Sequence, residues 1–251
     1  RRLSVHFSDS DEPEGHDLRL SVRSGVFYVS GMTRKVITDV TIEGFTITDS
    51  WRERGAGVVF AHKTERAVLR DCRIENCWHG VSVSLDAEDC VVENCEVVNC
   101  PDGIRFSYLG KGRVSNNRVV RRNDNWPFMP SKPSVGVYFY TLYPHSSCII
   151  EGNYIEGYGN GVRLKICPIG VVRDNTFVSC HIGILARRGK ERRFHRNLLI
   201  DCDRGLYIAD AELPPVLESD DNCAWDTRDP ERAKAWLKRW LALGRHGGMA
   251  W

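Results

Sequence analysis

Hydrophobic residues along this chain come in short alternating runs, and the runs return. Val81/Val83, Ile104/Phe106, Val162/Leu164 and Leu206/Ile208 each mark a few residues of period two. Asn, Asp and Gly separate them, residues that tolerate the left-handed backbone of sharp corners. Such runs are too short for helices and too regularly spaced for a sandwich. Seven segments align: 40–50, 67–84, 90–107, 112–125 (resuming at 135–140), 148–165, 170–187 and 192–210. One column reads Phe45, Cys72, Cys95, Asn117, Asn153, Asn175, Asn197, and a second Ser50, Cys77, Cys100, Arg122, Tyr158, Cys180, Cys202. A third, three residues on, is glycine: Gly80, Gly103, Gly136, Gly161, Gly183, Gly205. Most steps in the second column are 22 or 23 residues, and the longer step from Arg122 to Tyr158 holds one insertion. A coil of about 22 residues that turns corners and stacks on its neighbour predicts an all-β chain, a single parallel β-helix of about seven coils.

Stacking explains the two polar columns. Equivalent asparagines in successive coils form an amide ladder, and cysteine replaces them in the early coils because it too is small and packs well when buried. The parallel Cβ vectors of stacked coils oppose disulfides. The ten cysteines therefore read as wall, with no metal site among them.

The β-helix domain is expected over 1–225, with 1–39 as an irregular first coil or cap. Within it, DLRLSVRSGVFYVSG (17–31) alternates enough for two strands. Residues 226–251 read as a C-terminal helical cap. In DPERAKAWLKRWLALG (229–244), Asp229 suits an N-cap, Pro230 the first helical position and Gly244 the stop. Ala233, Trp236, Leu237, Trp240 and Leu241 fall on one stripe, an amphipathic helix that docks on the rod or on an adjoining domain.

Charge is almost balanced, 35 Lys+Arg against 33 Asp+Glu, which argues against nucleic-acid binding driven by bulk electrostatics. No apolar run is long enough to span a membrane, and RRLSVHFSDSDEPEGHD lacks the apolar centre of a signal peptide.

With its repeats aligned, the chain resembles the right-handed parallel β-helix proteins of the pectin lyase-like superfamily. The resemblance covers roughly residues 17–225 and rests on VTIEGFTITDS, the ENC/NN/GN/DN/RN steps and the Gly-initiated strands. The stretch SDDNCAWDTRDPERAKAWLKRW looks like the close of bacterial carbohydrate-active β-helix proteins. The superfamily includes polysaccharide lyases, glycoside hydrolases, esterases, epimerases and inert adhesins, so it implies a secreted or periplasmic glycan-directed protein and leaves the reaction to the site.

Alternation after each ladder glycine gives the outward positions. One track is Val59, Ser82, Arg105, Tyr138, Arg163, Leu185, Tyr207; a companion is Ala61, Ser84, Ser107, Tyr140, Lys165, Arg187, Ala209. A cationic, aromatic band on a flat sheet suits an acidic sugar chain: arginines fork onto carboxylates, and tyrosines offer an apolar face with a polar tip. The insertion NDNWPFMPSKPS (123–134), with Trp126 and Phe128, is expected as a groove wall. His79, Asp102 and His181 stand at the turns leading into the same sheet, where their types are also common as plain solvated turn residues.

Three functions compete. In a uronate lyase, Arg105, Arg163 or Arg187 neutralises the substrate carboxylate, and Lys165 or Tyr140 serves as base if neighbouring cations lower its pKa. A glycoside hydrolase needs two carboxyls roughly 5–9.5 Å apart. Asp102 and Asp203 lie four coils or about 19 Å apart, Asp203 and Asp210 border one strand at opposite ends and are also too distant, and a loop acid such as Asp124 is the candidate missing partner. A non-catalytic glycan-binding module uses the same band. The lyase is ranked slightly first, with Lys165, Arg163, Tyr140, Arg187 and Asp102 as catalytic candidates and Arg105, Tyr138, Tyr207, Trp126, Phe128, His79 and His181 as substrate contacts. No cofactor is expected; the tracks lack the carboxylate cluster that calcium requires.

Overall fold

A computed structural model describes residues 2–6, 25–31, 35–48, 50, 55–122, 134–209, 216–226 and 231. Each coil contributes one strand to each of three sheets. In the third coil these are Cys90–Glu93, Glu96–Val98 and Asp102–Ser107, representing here the first, second and third sheets. Every strand pairs in parallel with its equivalents in the coils before and after it, giving sheets of ten, eight and eight strands. The architecture is the expected right-handed parallel β-helix of about seven coils, the hand that parallel crossovers adopt.

Arg2–His6 is different. It runs antiparallel to Ile37–Glu43 and occupies the open edge of the first sheet, which would otherwise offer unpaired backbone groups to another chain. Gly25–Ser30 opens the third sheet, in parallel with Ala56–Ala61. It is one of the two strands anticipated in 17–31. The helix anticipated over 229–244 falls outside the described residues, save Glu231.

The inward residues are mostly apolar, with the buried Arg192 and Ser219 of the first sheet as exceptions. Val81, Val83, Ile104, Phe106, Val137, Phe139, Val162, Leu164 and Ile184 are each at most 1% exposed and belong to one continuous core. Phe106 and Phe139 stack with centroids 4.5 Å apart. The amide ladder is present: Asn117 donates to Asn153 at 3.0 Å, Asn153 to Asn175 at 2.9 Å and Asn175 to Asn197 at 3.0 Å. One further rung, Asn197 to Asn222 at 2.9 Å, closes it. At its lower end Cys95 continues the column, its backbone N–H donating to Asn117 Oδ1. Nine of the ten cysteines are buried free thiols, most with the S–H group turned to a backbone carbonyl, as Cys95 to Leu69 and Cys202 to Phe177.

The corners follow the side chains. Asp71, Asn94, Asn116, Asp174, Arg196 and Asp221, with Gly44 and Gly152, hold positive φ at the turn between the first and second sheets. The glycine column has another cause. None of its members has positive φ; instead a Cβ on Gly80 would lie 2.5 Å from the Gly103 carbonyl, and one on Gly103 would lie 2.5 Å from that of Gly136. Close stacking excludes a side chain there. In the fourth coil the second column changes sense: Arg122 is exposed, while Tyr158 from the next coil is 1% exposed and donates to the Cys100 carbonyl at 3.0 Å. Its ring fills two layers of wall.

Candidate functional site

The third sheet positions the candidate site because its strands are of nearly constant length and register is kept from coil to coil. The first outward track runs Tyr28, Val59, Ser82, Arg105, Tyr138, Arg163, Leu185, Tyr207 as directly paired residues. The companion runs Ala61, Ser84, Ser107, Tyr140, Lys165, Arg187. At the first coil the outer face is covered: Val59 and Ala61 join Ala56 in a small buried cluster separate from the main core. Beyond it the strip is at least partly exposed except at Ser107, which is buried.

Arg105, Tyr138, Arg163, Tyr140 and Lys165 form one interlocked patch. Tyr138 lies between two guanidiniums, Arg105 from the coil before (5.4 Å to the ring centroid) and Arg163 from the coil after (5.6 Å). Lys165 stands 5.0 Å over Tyr140, whose ring is parallel to that of Tyr138, 6.4 Å away. Each such cation–π contact contributes on the order of 0.5–1 kcal/mol at a partly exposed site. The expectation that Tyr138 offers a flat face to a sugar is corrected here. Arginines flank both of its faces, so its edge and hydroxyl are what remain. Burial raises the Tyr138 phenol above its ordinary pKa, against the lowering pull of Arg163 and Arg105. Tyr140 is raised as well, first by its hydrogen bond with Tyr108. The condition under which Tyr140 would be a base, a lowered pKa, is therefore not met.

Acids are sparse along this strip. Arg105 reaches Asp102 at 3.6 Å, and Asp102 also approaches Nδ1 of the 7%-exposed His79 at 3.2 Å. The His79–Asp102 approach is close but not aligned as a hydrogen bond, so Nδ1 remains unsatisfied. Arg163, Lys165 and Arg187 have no carboxylate partner among the described residues. His181 and Tyr207 stand apart. His181 pairs with Asp203 at 3.0 Å in the exposed turns of the last two coils. Tyr207 is separated from Arg163 by Leu185 and lies under Arg204, at 5.4 Å. Trp126, Phe128, Asp124 and Asp210 lie outside the described residues. Arg204 and Tyr108 lie outside the two tracks: Arg204 opens its strand, and Tyr108 follows the end of Asp102–Ser107.

Residues 18–212 match the family described as periplasmic copper-binding protein (NosD). The chain belongs to this family. No curated protein matches it. Among solved structures, the chain is similar to an alginate lyase from Paenibacillus sp. str. FPU-7, at 11% identity and a TM-score of 0.36, over 81% of this chain and 84% of that one. Among the described residues no helix is long and apolar enough to cross a membrane.

Proposed function

We propose that the strip on the third sheet binds an acidic polysaccharide and cleaves it by β-elimination. The observation that carries this reading is the set of basic side chains, Arg163, Lys165 and Arg187, held in register beside two tyrosines and without carboxylate partners among the described residues. A uronate carboxylate docked on Arg163 has its charge neutralised, which acidifies the C–H beside it. The Lys165 amine, in its neutral form, takes that proton. A carbon–carbon double bond forms, and the glycosidic C–O bond on the neighbouring carbon breaks. Tyr140, whose raised phenol keeps its proton, gives it to the departing oxygen. One fragment leaves with a free reducing end and the other carries the unsaturated uronate. Tyr140 thus becomes the acid and Lys165 the base, with Asp102 holding Arg105 and His79 at the strip's edge.

The test is absorbance at the unsaturated-uronate band on a panel of uronans. Growth of that band that is lost in Lys165→Ala supports the reading. Reducing ends without the band would transfer the protein to the hydrolases. Binding with neither product would make it a glycan-binding module, the second reading, which the same uncompensated cations support. A hydrolase pair finds less support: among the described residues Asp102 is the one carboxylate beside the patch, and it already faces Arg105 and His79.

The family description speaks of copper, for which sulfur and imidazole donors are the apt ligands. The described residues do not fit it. No three His, Cys, Asp or Glu side chains converge. The thiols come in twos inside the wall, as Cys148 and Cys167 with sulfurs 3.6 Å apart, and His79 and His181 face aspartates. The same family description makes a periplasmic location the reading of choice.

A further inference from the structure

Tyr138 has an arginine on either side of its ring, whereas the corner beside it carries exposed apolar side chains. Where the chain leaves the third sheet, four of the nine exposed large hydrophobic residues gather over three coils: Leu85 (42% exposed), Tyr108 (38%), Leu142 (56%) and Tyr143 (40%). They are not a frayed edge. Tyr108 holds φ 57°, a left-handed backbone that directs the chain away from the wall, and packs its ring edge-on to Tyr140 at 4.8 Å. The turn 141–146 is pinned at both ends. Thr141 and Ser146, each 1% exposed, donate to the Leu109 carbonyl at 2.9 and 2.8 Å. From that turn Tyr143 reaches back to Asp86, two coils below, with its hydroxyl 2.5 Å from the carboxylate.

We infer that this corner is a second subsite of the same groove, a rigid shelf on which the apolar faces of pyranose rings stack while the adjacent cations hold the carboxylates. The inference rests on the acidic-glycan reading for its neighbour, the strip. Three properties select a sugar as the occupant. The shelf is continuous with the cationic patch through the Tyr108–Tyr140 contact. Two of its members are tyrosines, which give a flat apolar face and a polar rim at little cost in ordering. Its few residues fall well short of a stable protein–protein interface, which takes roughly 20–30 residues a side. Pinning by Thr141, Ser146 and Asp86 means that little freedom remains to be lost on binding.

The experiment is calorimetric titration with an oligouronate and with its carboxyl-reduced, neutral counterpart, on the wild type and on Tyr143→Ala, Leu142→Ser, Tyr143→Phe and the strip variant Arg163→Ala/Lys165→Ala. Thermal melts establish that each is folded. Stacking requires that Tyr143→Ala and Leu142→Ser weaken both ligands by the same factor, about three- to tenfold. Tyr143→Phe keeps most of the affinity, because the ring remains. The strip variant weakens the acidic ligand alone. If the wild type binds the oligouronate and the shelf variants bind it unchanged, the shelf is overturned and the strip stands. If the shelf variants lose both ligands while the strip variant loses neither, the acidic reading falls and the shelf stands. A wild type that binds neither ligand overturns both.

Discussion

The outer faces of the first and third sheets are built from the same coils by the same alternation, yet they treat charge in opposite ways. On the first sheet one outward column reads Glu43, Arg70, Glu93, Ser115, Glu151, Arg173, His195, Asp220 in successive coils. Cations and anions nearly alternate, and neighbours bond: Arg70 to Glu43, Arg173 to Glu151 at 2.7 Å, and His195 to Asp220. Glu151 takes a second arginine, Arg113. The second sheet does the same, with Glu96 shared between Arg73 and Arg118. On the third sheet the cations meet tyrosines instead. A face whose charges satisfy one another needs no ligand; one on which Arg163, Lys165 and Arg187 have no counter-charge among the described residues is poised for an anion from outside.

The comparison breaks first under charge reversal. Arg163→Glu/Lys165→Glu should lower affinity for an acidic oligosaccharide about 100-fold, roughly 2.7 kcal/mol, with little change in thermal stability. Arg113→Glu on the first sheet should leave binding unaltered and lower stability, because Glu151 would then face a like charge. Equal binding losses from the two would refute the distinction. Next in size is a change beneath both faces. Asn175→Ala strips an acceptor from the Asn153 backbone and side-chain N–H groups and a donor from the Ile150 and Arg173 carbonyls. The expected cost is about 2 kcal/mol, read as a lower urea midpoint, with both faces equally affected. The smallest effect is a pH signature of the paired face. Burial raises the Glu151 carboxyl, but hydrogen bonds from Arg173 and Arg113 outweigh it and the net shift is downward. A depressed carboxylate contributes stability that is present above the unfolded value near 4.5 and lost as pH falls through the folded one. Because both arginines are about half exposed, Glu151→Gln should cost under about 1 kcal/mol at pH 7. The difference from wild type should shrink in urea melts as pH is lowered below the unfolded value and through the folded one.

Most of the frame could be read from the amino acids because a solenoid repeats its constraints. Asn153, Asn175 and Asn197 recur at one spacing since each must bond the next, and Arg105, Tyr138 and Arg163 share a track since alternation has only two phases. What escaped was decided by side-chain direction and by corners. That Tyr138 spends its faces on two arginines depends on rotamers, not on spacing. Tyr108, Leu142 and Tyr143 lie where the coil turns, so no period marks them as neighbours. Glycine at Gly80 and Gly103 looked like a turn device and proved to answer the closeness of the next carbonyl. The antiparallel strand Arg2–His6 belongs to no repeat at all.

The fourth coil shows how such a rod acquires individuality. With Arg122 facing solvent and the Tyr158 ring reaching down to Cys100, the wall there is sealed by the turn above it. Closure at this level therefore rests on an aromatic ring lent by the next coil and not on the coil's own second-column residue. A coil sealed by its neighbour can change its own corner residue without opening the core, so here the integrity of one storey is guaranteed by the next.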